Sequence, residues 1–141
     1  MGSLIIVGNS ALAKKFNPIV HPKELESIPA VGFISGKMES ADIMWQLKNR
    51  EGKVYRMKPK VMMSSTSFNH MIELVKLGAG ISFVPETMIR NELKAQKLTH
   101  LVPSWSSGET PMQLVYPPHR FTSKKVSEMM LILERKIKKV F

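Results

Sequence analysis

Cysteine is absent from this sequence, so neither disulfides nor thiolate metal sites hold it together, and a reducing cytoplasm is the expected location. Long apolar runs are missing too: no stretch approaches the roughly 20 residues needed to cross a bilayer, and no membrane partner is expected. The opening MGSLIIVG has neither a basic n-region nor a long apolar core, so it does not read as a secretory leader. Residues 1–3 read instead as an appended start. Acids are scarce, 11 Asp and Glu against 21 Lys and Arg, and sit mostly at helix starts or surface turns, where paired carboxylate chemistry is unconvincing. His21, His70, His100 and His119 lie far apart, and none pairs with Asp, Glu or Cys at metal spacing. No G-x-S-x-G elbow surrounds the serines. No metal ligands, no cofactor and no catalytic residues are therefore assigned. Internal repeats and low-complexity tracts are also absent.

What remains is 141 residues, room for one domain or two small lobes. A hydrophobic content of 43% beside 23% charged residues is ordinary for a globular protein. The net charge of +10 favours anionic partners such as nucleic acid, acidic lipid or a small anion. The plainer alternative is lysine spread over a solvated surface. The basic residues are scattered, dense only at 50–60 and 135–139, and aromatics do not interleave with them as base stacking would require.

The chain is organised around residues 64–87, SSTSFNHMIELVKLGAGISFVPET. Ser64, Ser65, Thr66 and Ser67 can each cap a helix start. Phe68, Met71, Ile72 and Val75 then fall at i, i+3, i+4 and i+7, which makes one helix face apolar. Gly78 ends that helix, residues 81–84 read as a buried strand, and Pro85 suits the first position of a second helix running to about Ala95. Met88, Ile89 and Leu93 should face inward from it. The result is one α/β unit.

Before it come a strand at 4–7, a short helix capped by Asn9 or Ser10, a helical turn at His21-Pro22-Lys23-Glu24-Leu25, and a strand at 30–34. Residues 43–48 and 53–58 flank Asn49-Arg50-Glu51-Gly52 as a β-hairpin, and 60–63 is a further strand. After it come a strand at 98–102, a loop at 103–111 carrying Trp105, a strand at 112–116, and a long helix from about Ser123. On that helix Val126, Met129, Met130, Leu133, Ile137 and Val140 form one stripe, with lysines at its negative end. The stripe wants a sheet that a single preceding strand does not supply. The eleven methionines read mainly as adaptable core filler.

Taken in order, these segments resemble the effector-binding domain of LysR-type transcriptional regulators. The resemblance runs through Pro22-Lys23-Glu24-Leu25, Trp45-Gln46-Leu47, the G-x-G-I-x-x-x-P of Gly78-Ala79-Gly80-Ile81-Ser82-Phe83-Val84-Pro85, a leucine-then-tryptophan stretch at 98–105, a "vyP" strand at 114–117 and a helix after Ser123. Each motif is weak alone; their order over nearly the whole chain is specific. It implies an α/β fold, a type 2 periplasmic-binding-protein-like lobe with a mixed sheet flanked by helices, plus the returning C-terminal segment of a second lobe. Residues 4–102 would be lobe two and 103–141 the crossover and end of lobe one. The winged helix-turn-helix and the first half of lobe one would be absent, with DNA contacted only through that missing domain. A small-molecule effector, anions included, would sit between lobes. The intact protein would be a homodimer or tetramer, with residues 11–16 and 68–75 near a dimer interface.

Candidate effector contacts come from two stretches. Ser64, Ser65 and Thr66 offer hydroxyls and free N–H groups at a helix start, ordinary capping being the plainer alternative. Ser35 and Gly36 follow a buried strand, where a simple turn is the alternative. In the resembling family the loop after this strand lines the cleft, which adds Phe33 and Ile34 to Ser35. Two other functions stay open at this point: a basic domain binding nucleic acid directly, and an enzyme sharing the two-lobed fold.

Overall fold

Along the central strands of this protein the apolar residues run consecutively, and because successive side chains point to opposite faces, both faces of one sheet are apolar. A computed structural model describes residues 2–16, 19, 21–109, 115 and 123–140. They form eight strands, β1 (Leu4–Asn9), β2 (Pro29–Phe33), β3 (Trp45–Asn49), β4 (Val54–Met57), β5 (Lys60–Ser65), β6 (Ile81–Pro85), β7 (Leu98–His100) and β8 (Trp105–Ser106). The helices are α1 (Ser10–Lys15), α2 (Phe68–Lys76), α3 (Arg90–Lys94) and α4 (Lys124–Val140). Five strands make a mixed sheet in the order β5-β2-β6-β1-β7, with β2 parallel to both β5 and β6, and β1 antiparallel to β6 and β7. The antiparallel trio β4-β3-β8 forms a second sheet.

Two apolar layers follow from those consecutive runs. Ile5, Val7, Val31 and Val84 pack with Met71, Ile72 and Val75 of α2 on one face. Ile6, Ala30 and Ile81 pack on the other against Trp45, Leu47, Met57 and Trp105 of the small sheet. Each fully buried aliphatic side chain contributes about 1.5–3 kcal/mol before entropy is counted. The hydroxyl of Ser82, buried between the layers, donates to the Val31 carbonyl at 2.8 Å, so no polar cost is left there.

Two glycines are required where they stand. Gly78, at φ 88°, ends α2: its N–H bonds the Val75 carbonyl and the Ala79 N–H bonds Leu74, a pairing that needs the left-handed conformation. Gly80 brings the start of β6 against Pro29, whose carbonyl oxygen would lie 2.1 Å from any added Cβ.

Much of the expected element order is present, with the hairpin of β3 and β4 paired Lys48 to Val54 around Asn49 and Gly52. Asn9 caps α1, its side chain accepting from the Leu12 N–H. His21 and Glu24 form a capping box on a 3₁₀ turn, Pro22–Leu25. Several expectations need correction. Ser64 and Ser65 do not start a helix; parallel pairing with Gly32 and Phe33 extends β5 through them. Ser67 is the N-cap of α2 instead, and its side chain makes no capping bond. Pro85 pairs with Leu4 as the last residue of β6, so it leads into a 3₁₀ turn and α3 starts only at Arg90. Met88 is exposed, whereas Ile89 is buried and Leu93 packs against the core. Trp105 lies in β8 rather than in a loop, because Asn49 pairs with it. The strand expected at 112–116 falls outside the described residues, apart from the exposed Val115. Among the described methionines only Met57 and Met71 are buried core filler; Met130 is half-buried, and Met38, Met44, Met62, Met63, Met88 and Met129 are exposed.

Candidate functional site

Strands β2 and β5 run parallel and end side by side, which gathers the two candidate stretches into one place. Gly32 lies opposite Ser64 and Phe33 opposite Ser65, and the Ile34 N–H donates to the Ser65 carbonyl at 3.0 Å. Ligands of open α/β sheets sit outside the carboxyl ends of parallel strands, because the strand ends present backbone groups that no neighbouring strand uses. Phe33, Ile34, Ser35, Gly36, Ser64, Ser65 and Thr66 all lie at that end of this sheet. Ser35, Gly36 and Thr66 are exposed; Phe33, Ile34, Ser64 and Ser65 are half-buried. A Cβ placed on Gly36 would meet nothing within 4 Å, so the backbone there is open to approach.

The hydroxyls are partly committed. Ser65 Oγ accepts from the Ser67 N–H at 3.1 Å, a local bond that shapes the step from β5 into α2. Ser64 Oγ accepts from Ser40 Oγ at 3.1 Å. Ser40 belongs to a 3₁₀ turn, Ser40–Asp42, closed by Asp42, whose carboxylate accepts from the Glu39 N–H. A neutral wall completes the site: the Phe33 and Phe68 rings stack with centroids 4.5 Å apart and planes 16° from parallel. The arrangement offers hydrogen-bonding hydroxyls beside an aromatic pair and holds no paired acid and base. Neither Ser40 nor Phe68 was a candidate from sequence. Ser40 stands 24 residues from Ser64, a separation that no local spacing encodes.

Elsewhere, among the described residues, no cluster of three or more His, Asp or Glu could hold a metal ion. His100, on β7, is held below the usual imidazole range by burial, partly offset by its contact with the Trp105 carbonyl. The Tyr55 hydroxyl is pushed up by its hydrogen bond to the Glu26 carboxylate at 2.7 Å, with burial adding to the effect. His100 lies away from the hydroxyl-lined end, on the opposite margin of the sheet from β5. No helix among the described residues is long and apolar enough to cross a membrane.

The family described as the LysR substrate binding domain matches residues 3–137. The chain belongs to that family. Its members are effector-binding regulatory domains of transcriptional regulators, with a type 2 periplasmic-binding-protein-like fold. Among curated proteins nothing matches. Solved structures do. The regulatory domain of AphB from Vibrio vulnificus, treated with cumene hydroperoxide, is 20% identical, with a TM-score of 0.63, 74% of this chain covered and 52% of that one. The full-length Vibrio cholerae virulence activator AphB, of the LTTR family, gives 20% identity and a TM-score of 0.63, with 74% of this chain and 34% of that one covered. The CrgA regulatory domain from Neisseria meningitidis gives 18% identity and a TM-score of 0.56 over 72% of this chain and 48% of that one. At these identities the likeness speaks for the fold. The chain spans about half the length of the regulatory domains it matches.

Proposed function

We propose that this chain is the effector-sensing part of a LysR-type transcriptional regulator, a binding module rather than a catalyst. The convergence of β2 and β5 carries the reading, since it brings Phe33, Ile34, Ser35 and Gly36 beside Ser64, Ser65 and Thr66 at one open edge. A small molecule, anions included, is held there by hydroxyls and unpaired backbone groups, with the Phe33–Phe68 stack as its apolar wall.

In this reading residues 4–102 are one lobe, and 103–141 carry the crossover and the returning segment of the other. Two observations support it. Leu4 N–H donates to Ser107 Oγ at 2.8 Å and the Ser107 N–H returns to the Leu4 carbonyl at 2.9 Å, so the two crossing segments run together. The apolar stripe of α4 has no buried member among its described side chains, as expected of a helix whose sheet belongs to the other lobe. Effector binding shifts the orientation of the lobes, and so changes how a dimer or tetramer presents separate DNA-binding domains.

The test is a two-dimensional NMR screen of the chain against a panel of small hydroxy acids, carboxylates and amides. Specific binders should shift resonances of residues 33–36 and 64–66, and the Ser64→Ala/Thr66→Ala double variant should weaken them roughly tenfold. Binders that leave both stretches unmoved would refute the proposal.

A further inference from the structure

Across the sheet from that edge runs an open groove of about 660 Å³ between α1, Ile19, the α3–β7 turn and β7, well within the range of small-molecule sites. It is remote from the hydroxyl-lined edge in two senses. Strand β7 is the opposite margin of the sheet from β5. Helix α1 leaves β1 after Asn9, whereas the hydroxyl-lined edge is level with the other end of β1, where Leu4 pairs with Pro85.

The groove has an apolar wall and, among the described residues, one fixed charge. Ala13, Phe16, Leu93, Leu98 and Leu101 supply the wall, and Phe16 is left 43% exposed there. Among the described residues Lys14 is the one Lys or Arg lining it, and no Asp or Glu does so. His100 also lines it; with Nε2 3.2 Å from the Trp105 carbonyl, the ring proton sits on that nitrogen, and burial favours the neutral ring. Thr99 adds a hydroxyl donor. The two rims are tied together. Gln96, the one non-glycine residue at positive φ among those described, is held at 57° in the α3–β7 turn, and Ser10 Oγ of α1 donates to its carbonyl. Glu86 acts on His100 from outside the lining; an apolar wall carrying a lysine and no lining carboxylate among the described residues favours a ligand with a hydrophobic body and one negative charge.

We propose that this groove is a second binding site, for a small amphipathic monoanion such as an acyl or aryl carboxylate. The proposal is independent of the effector reading, since resonances at 33–36 and 64–66 report that site separately. The test titrates octanoate, octanol and octylammonium into the full 141-residue chain, followed by NMR. Octanoate should saturate with shifts at Lys14, Thr99 and His100, octanol should bind about fivefold more weakly, and octylammonium more weakly still. Lys14→Gln should reduce octanoate to the affinity of octanol. Because Lys14 is exposed, that variant keeps the fold and tests the proposal even if Ala13→Trp does not fold. A folded Ala13→Trp chain, its groove filled, should lose octanoate more than tenfold. Octylammonium binding as well as octanoate, or octanoate shifts that avoid the groove, would overturn the proposal. So would concentration-dependent shifts at the same residues without ligand, which would assign the groove to a second copy of the chain.

Discussion

Helices α2 and α4 carry the same kind of sequence and meet opposite fates. On α2, Phe68, Met71, Ile72 and Val75 line one face, and Met71, Ile72 and Val75 are buried against the sheet. On α4, Val126, Met129, Met130, Leu133 and Ile137 follow the same spacing, yet none is buried; Met129 is 57% exposed and Leu133 38%. Amphipathic spacing states that a face needs cover. It does not state that the cover lies in the same chain. Helix α2 is set between β5 and β6, each joined to it by a few residues, so the sheet is already beside it. Helix α4 comes after a stretch bearing Pro103, Pro111, Pro117 and Pro118, with no strand among the described residues between β8 and its start.

Truncation of one methionine on each helix puts that contrast to its strongest test. Met71→Ala should cost about 3 kcal/mol in denaturant unfolding, a cavity effect, while Met129→Ala should stay within about 0.5 kcal/mol. A cost above ~1.5 kcal/mol at Met129 would mean that α4 is covered within this chain, and the comparison would fail. Next in size is the glycine that closes α2. Gly78→Ala should cost about 1–2 kcal/mol, because φ is 88° and the new Cβ would crowd Asn9 Nδ2 at 3.1 Å.

A smaller effect comes from β7, on the covered side of the contrast. His100 has a folded-state pKa below its ordinary value of 6.5, so the unfolded chain binds the proton more readily. The stabilisation is therefore present above about 6.5 and is lost as pH falls from there toward the lower, folded value. Melting temperature should drop on acidification through that window, and His100→Gln should flatten the drop. If the variant melts with the same pH profile as the parent, His100 is not the titrating group. Smallest of all, Ser40→Ala should change stability by less than about 0.5 kcal/mol at its exposed position. It should still alter ligand shifts at Ser64, whose hydroxyl it would otherwise engage. Unchanged shifts in that variant would remove Ser40 from the site.

The legible features were those set by local chemistry. Gly78 marked the end of α2, since that position takes positive φ. The Asn49–Gly52 turn marked the hairpin, Asn9 marked the start of α1 through its side-chain acceptor, and Pro22 with Glu24 marked the 3₁₀ turn, whose cap by His21 only the structure showed. Boundaries failed where a distant partner decided them. Ser64 and Ser65 have the composition of a cap, but β2 offers them a ladder, and paired backbone groups outweigh a local side-chain bond. Pro85 suits a helix start equally well until β1 claims it. The same limit applies to the candidate site. The two stretches could each be picked out for their hydroxyls or strand-end position, while the Ser40–Ser64 bond and the Phe33–Phe68 stack exist only because the chain folds back on itself.

By itself, then, the order of residues determined most of the elements, the apolar faces of α2 and α4 and the family, because turn chemistry and side-chain period act over a few neighbours. Which strand adjoins which, which hydroxyls meet and where β5 and β6 end were decided in three dimensions. Those outcomes depend on backbone hydrogen bonds and apolar contacts between residues tens of positions apart, whose formation no short window of sequence can express.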